Sequence, residues 1–159
     1  MSATTEAGQV GVRQFISFKI GDEEYGIDIM AIREIKGWTE TTELPDTPQH
    51  LRGVINLRGA IIPVVDLRAR FSGQLTQATP RHVTIVVTVG ARIVGVLVDA
   101  VADIITVAAA DIQPVPDLDS GAHARFLAGL VAVDGRMVAL LDLESLLHSD
   151  LQATAEMAA

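Results

Sequence analysis

The chain has 159 residues, 12 Lys and Arg against 20 Asp and Glu for a formal net charge of −8, 49% apolar and 4% aromatic residues, and no cysteine. An acidic chain without a basic patch is excluded from phosphate-backbone binding and disfavoured at anionic lipid, because both need clustered Lys and Arg. Disulfides and thiolate chemistry are removed, and no apolar run approaches the roughly 18 residues that span a bilayer, so a cytoplasmic protein without direct membrane binding is expected.

Residues 1–12 and 149–159 are small, polar or Ala-rich and read as tails around a folded unit at 13–148. Ile16, Phe18 and Ile20 alternate, the chain turns at Gly21-Asp22, and Tyr25, Ile27 and Ile29 resume, which predicts a β-hairpin. Thr47-Pro48 has the pattern of an N-cap followed by proline at the first helical position, predicting a turn or two through His50. A second hairpin turns at Arg58-Gly59, and Asp66 is placed to cap a short helix from Leu67 to Phe71. The pattern then restarts. Val83, Ile85, Val87 and Val89 alternate, the chain turns at Gly90-Ala91 and returns through Val94, Val96 and Val98; Thr106 to Asp119 reads as loop with a brief helical turn. A last hairpin turns at Asp134-Gly135, and Asp142 precedes a helix from Leu143 to Leu147.

The restart is a duplication. Gly21, Gly26, Ile32, Glu34 and Ile35 match Gly90, Gly95, Val101, Asp103 and Ile104 at a constant offset of 90 − 21 = 69. Gly53, Gly59 and Asp66 match Gly129, Gly135 and Asp142 at 129 − 53 = 76. Apolar, Gly and Asp positions all stay in phase, which chance does not produce. The expected fold is all-β: two five-stranded barrels related by the duplication, one per copy (about 14–72 and 82–148), with short helical segments. Small barrels have few interior positions, so part of the aliphatic surplus must lie between them or against a partner.

Chemistry has little support. His50, His82, His123 and His148 fall singly, without ligand spacing, and no nucleophile elbow or phosphate loop is present. Asp66 and Asp142 sit at capping positions rather than as an acid/base pair. No cofactor, metal or catalytic residue is expected. Four features remain. Glu34 lies among apolar neighbours, and Arg58 in Asn56-Leu57-Arg58-Gly59 offers a fork suited to its carboxylate, either as a pair or as two solvated charges. Val94-Gly95-Val96 with Val101 is either a surface that permits close approach of another chain or an ordinary core strand. The seven residues added to the second copy, near Gln113 to Leu118, are either a contact or slack.

Phe15-Ile16-Ser17-Phe18, the run from Gly21 to Ile29, Arg33-Glu34-Ile35, Gly53 to Gly59 and Pro63 to Arg68 together resemble the CheW family, with the likeness running from about Gln14 to His148. The resemblance implies two SH3-like barrels around a shared core and a non-enzymatic chemotaxis adaptor. Such an adaptor binds the cytoplasmic tip of methyl-accepting chemoreceptors and the regulatory domain of the histidine kinase CheA, and is recruited to membrane-associated arrays. It implies a receptor-binding groove at Ile32, Glu34, Gly95 and Val101, with Arg58 supporting Glu34, and kinase contacts at the barrel ends, including Gln113, Asp117 and Leu118. The alternative is the same adaptor in a non-flagellar chemosensory pathway. Lys36 to Leu44 and Val115 to Ala124 follow no motif of that family.

Overall fold

The computed structural model describes residues 11–116 and 126–148. β1 (Val12–Ile20) and β2 (Glu23–Asp28) form the first hairpin, and a 3-10 turn at Ile29–Ala31 leads into β3 (Ile32–Gly37). β4 (Leu51–Leu57) and β5 (Ala60–Asp66) form the second hairpin and run into helix α1 (Leu67–Ser72). The duplicate follows: β6 (Val83–Val89), β7 (Arg92–Val98), β8 (Ala100–Ala108), a 3-10 turn at Ala109–Asp111, β9 (Leu127–Val133), β10 (Arg136–Leu141) and helix α2 at residues 143–148. Among the described residues no helix is long and apolar enough to cross a membrane.

The strands form two five-stranded sheets, ordered β8-β1-β2-β10-β9 (barrel A) and β3-β6-β7-β5-β4 (barrel B). Replacing each strand of the first copy by its counterpart in the second, and the reverse, turns one order into the other. The duplication is therefore visible in three dimensions, but each barrel is built from both copies. Gly26 of β2 lies beside Leu140 of β10 in parallel register, and Gly95 of β7 beside Val64 of β5. This corrects the expectation of one barrel per copy. The exchange occurs at the short links after the second strand of each copy. Three residues separate β2 from β3, and Asp99 alone separates β7 from β8, and at neither link does the chain turn back to pair with the strand it has just left. The third strand of each copy runs on into the neighbouring barrel instead.

Bulges repeat as well. Arg33 and Ala102 are the unpaired residues of β3 and β8, and Arg52 and Ala128 those of β4 and β9. Beyond β3 the chain swings round so that Thr42 exchanges two 2.9 Å backbone hydrogen bonds with Val54 of β4; beyond β8, Gln113 does the same with Leu130 of β9 at 2.8 Å. These bridges tie the two edge strands of each sheet and close it into an SH3-like barrel. Close approach explains one repeated glycine: a Cβ on Gly53, whose φ is +135°, would stand 2.2 Å from the Thr42 carbonyl oxygen.

Three apolar cores result. The largest lies between the sheets and holds 17 buried side chains, among them Phe18, Ile27, Val65, Val87, Val96, Leu67 and Leu146, while the interiors of barrels A and B hold 6 and 4. At roughly 1.5 to 3 kcal/mol per buried aliphatic side chain, most of the apolar stabilisation lies in the shared layer, so the barrels form one folding unit. Asp66 caps α1 by accepting from the Ala69 amide (3.2 Å), and Asp142 caps α2 by accepting from the Ser145 amide (3.3 Å). The turn at 47–50 differs from expectation. Thr47 donates its hydroxyl back to the Leu44 carbonyl (3.1 Å) rather than capping, and only a single turn forms, closed by the Leu51 amide on the Pro48 carbonyl. β8 also extends to Ala108, into a stretch read as loop.

Candidate functional site

Ile32 opens β3 and Val101 lies at the start of β8, at equivalent points where the chain passes from one barrel to the other. Both are half-buried and pack against the shared core. Each leaves an apolar side chain partly open on a strand that crosses between the barrels. Ile35 and Ile104, again equivalent, stand on the same strands with 42% and 53% exposure. The bulge at Arg33 shifts the register so that Glu34 pairs with Val86. Its carboxylate Oε1 accepts from Arg58 Nη1 at 2.7 Å.

Arg58 and Gly59 occupy a two-residue hairpin turn with φ of 52° and 88°, the left-handed pair that such hairpins require. Asn56 Oδ1 accepts from the Gly59 amide at 2.9 Å and holds the turn. The turn therefore aims Arg58 across barrel B at Glu34. The Arg58 side chain is 75% exposed, against 27% for Glu34, so the pair orients Glu34 while most of the guanidinium stays in solvent. Such a pair contributes at most about 1 kcal/mol to stability and is better suited to recognition.

Gly95 is buried in β7. Its hydrogen in place of a side chain points into barrel B, where an added Cβ would stand 2.9 Å from Thr84 Cγ2 and 3.4 Å from Val64 Cγ2. Gly26 is placed the same way in barrel A, its Cβ position 3.0 Å from Leu140 Cδ2. Along β7 the residues beside Gly95, Val94 and Val96, face the shared core. The expected groove residue is a packing residue. Gln113 is exposed and its backbone closes barrel A through Leu130; Asp117 and Leu118 lie outside the described residues.

Two polar clusters escape sequence reasoning. Asp66, wholly buried, accepts from the Thr76 amide (2.8 Å), the Thr76 hydroxyl (2.8 Å) and Arg52 Nη1 (3.2 Å) in addition to its cap. Among the described residues, the Asp142 carboxylate bonds Ser145 of its own helix, and neither of these bonds joins it to Asp66. Asp99, on the β7 to β8 link, accepts from the Gly21 amide (2.7 Å) and from Arg68, and faces His82 Nε2 at 3.6 Å. Burial pushes the Asp99 carboxyl up, but the Arg68 hydrogen bond, the Gly21 amide and the charges of Arg68 and His82 outweigh it and hold the group below its ordinary range. This cluster joins the β1–β2 turn, α1 and both barrels. Burial, then the hydrogen bond and charge of Glu23, push the Tyr25 phenol up, so it stays protonated. Among the described residues no group of His, Asp and Glu is arranged to hold a metal ion.

The arrangement offers partner surfaces rather than a reaction centre, and known proteins of similar sequence agree with it. The CheW-like domain family matches residues 14–151. The chemotaxis protein CheW of Rhizobium meliloti is 49% identical over 88% of this chain and 90% of its own, and that of Klebsiella aerogenes 40% identical over 92% and 89%. The crystal structure of the scaffolding protein TtCheW from Thermoanaerobacter tengcongensis superposes with a TM-score of 0.77 at 31% identity, covering 84% of this chain and 86% of that one. With the two swapped barrels, the family match and these relatives together, the chain belongs to the CheW-like domain family of chemotaxis scaffold proteins, which are adaptors rather than enzymes.

Proposed function

We propose that this protein is a cytoplasmic coupling protein that joins the tips of methyl-accepting chemoreceptors to the regulatory domain of the kinase CheA within membrane-associated arrays. The observation that carries the reading is that Ile32 and Val101 each stand half-open on the shared core, with the Glu34–Arg58 ion pair two residues beyond Ile32 on the same strand. An amphipathic receptor helix can lay apolar anchors against the first and a polar face along the second, the usual logic of a helix docking in a groove. The duplication supports two attachments on one rigid body, since the shared core fixes the barrels against each other. The kinase domain is assigned to the barrel ends and the segment holding Gln113, Asp117 and Leu118. Gly95 serves the site indirectly, by letting barrel B close behind it.

Titration calorimetry with a receptor-tip fragment and with the CheA regulatory domain tests the proposal. Arg58→Glu places like charge beside Glu34 on an exposed turn, so it is expected to weaken receptor binding at least tenfold, leave kinase binding within twofold and leave the fold intact. Equal loss of both partners, or of neither, would remove the receptor assignment.

A further inference from the structure

The duplication acts as an internal control for a cluster the coupling reading does not use. Arg52 fills the bulge of β4, where the equivalent bulge of β9 holds Ala128. Asp142, the counterpart of Asp66, is only half-buried and bonds Ser145 of its own helix. A barrel of this type therefore closes without the Arg52–Asp66–Thr76 cluster, yet barrel B builds it and stacks the Arg52 guanidinium 5.1 Å from the centre of the Trp38 ring. Trp38 corresponds to Val107 (107 − 38 = 69), which is buried inside barrel A. In barrel B that position is instead half-open, and it borders a cleft.

The cleft has a volume of about 710 Å³ and is walled by the connection between β3 and β4, by Leu51 and Arg52, and by Leu75 and Ala78. That is within the range of pockets that enclose a small ligand or a few residues of peptide. Its apolar surfaces are Trp38, Leu44 and Leu75, the last 42% exposed. Three charged residues line it: Glu40, Glu43 and Arg52. Arg52 is balanced by buried Asp66, whereas Glu40 and Glu43 are exposed at the rim. The field in the cleft is therefore negative, which repels an anion and attracts a cation.

We propose that this cleft is a docking site for a short apolar segment of a partner protein that carries Lys or Arg, separate from the surface at Ile32 and Val101. Apolar side chains of the segment cover Trp38 and Leu75, and its cation lies between Glu40 and Glu43. The rigid Arg52–Trp38 plate presents the floor already ordered, which lowers the entropy lost on binding. The site stands independently of the receptor and kinase assignments.

Trp38 is the single tryptophan of the chain, so intrinsic fluorescence reads the cleft without a label. The probe is acetyl-Leu-Lys-Leu-Lys-Leu-amide, with the same peptide carrying Glu in place of Lys as control. The expected result is a saturable fluorescence change with the Lys peptide alone, at least tenfold weaker in the E40Q/E43Q double variant and unchanged in Arg58→Glu. Amide chemical-shift changes should centre on Trp38 and Leu75. No saturable change, an equal response to the Glu peptide, full binding by E40Q/E43Q, or shifts centred on Ile32 and Val101 would each overturn the proposal.

Discussion

Replacing Gly95 by leucine separates a packing role from a contact role. A Cβ at this position falls 2.9 Å from Thr84 Cγ2, where carbon atoms rest at about 3.5 to 4.0 Å. Thr84 is 2% exposed and Val64 fully buried, so neither can swing into solvent. Alanine adds only the Cβ, tight against Thr84 and at 3.4 Å from Val64 Cγ2, and its strain is set against about 0.4 to 1 kcal/mol gained by restricting the unfolded chain; Gly95→Ala should stay within about 1 kcal/mol of the parent. Leucine adds three more carbons to a filled interior and should cost about 3 kcal/mol, the upper end of the overpacking range, lowering the melting midpoint by about 6 to 12 °C. Thermal unfolding followed by circular dichroism measures this, and adding Thr84→Ala, which removes the nearest methyl, should recover part of the loss. Binding of receptor and kinase fragments should fall together, if at all. An unchanged melting midpoint with selective loss of the receptor fragment would show that Gly95 faces a groove and that its placement inside barrel B is wrong.

Losing the cation that pairs with the Asp66 cap should cost more than losing the Asp142 cap itself. Arg52→Ala leaves buried Asp66 without its cation and should cost about 3 kcal/mol, the low end for breaking a buried pair because three other hydrogen bonds remain, whereas Asp142→Ala removes a cap and should cost about 1 kcal/mol; equal costs in urea unfolding would contradict the asymmetry. Asp99 should govern acid stability: its carboxyl is depressed when folded, so its contribution is present above the unfolded value of 3.8 and is lost as pH falls below it. The stability gap between the parent and Asp99→Asn should therefore narrow below about pH 3.8, and a gap that stays constant through that window would show that the group is not ionised in the cluster.

The duplication, the four hairpin turns and both helix caps are legible in the sequence because Gly and Asp are demanded by local backbone conformation, and local demands leave local marks. The exchange of strands between copies is not legible, since residues 29–31 and Asp99 record that the links are short but not which hairpin the next strand will meet. β3 is obscured for another reason: Arg33, Glu34 and Lys36 interrupt its apolar pattern, and the bulge breaks the alternation. A carboxylate among apolar residues and an arginine on a tight turn leave the Glu34–Arg58 pair open against two solvated charges; the CheW resemblance favours the pair, and the structure forms it. The placement of Gly95 is not legible, because a glycine between valines marks close approach without saying from which face. The buried Asp66 cluster leaves one sign in the sequence, an arginine in the first copy where the second has Ala128; capping alone accounts for an aspartate at position 66, and nothing local marks its reach to Thr76.

The proposed coupling role requires one rigid body to hold a receptor tip and a kinase domain at the same time. Sedimentation velocity of the protein mixed with a receptor-tip fragment and the CheA regulatory domain tests it most directly. A ternary species containing all three is expected, reduced to the protein–kinase pair alone when Arg58→Glu is used. Mutually exclusive binding of the two fragments, or a protein that binds neither, would contradict it.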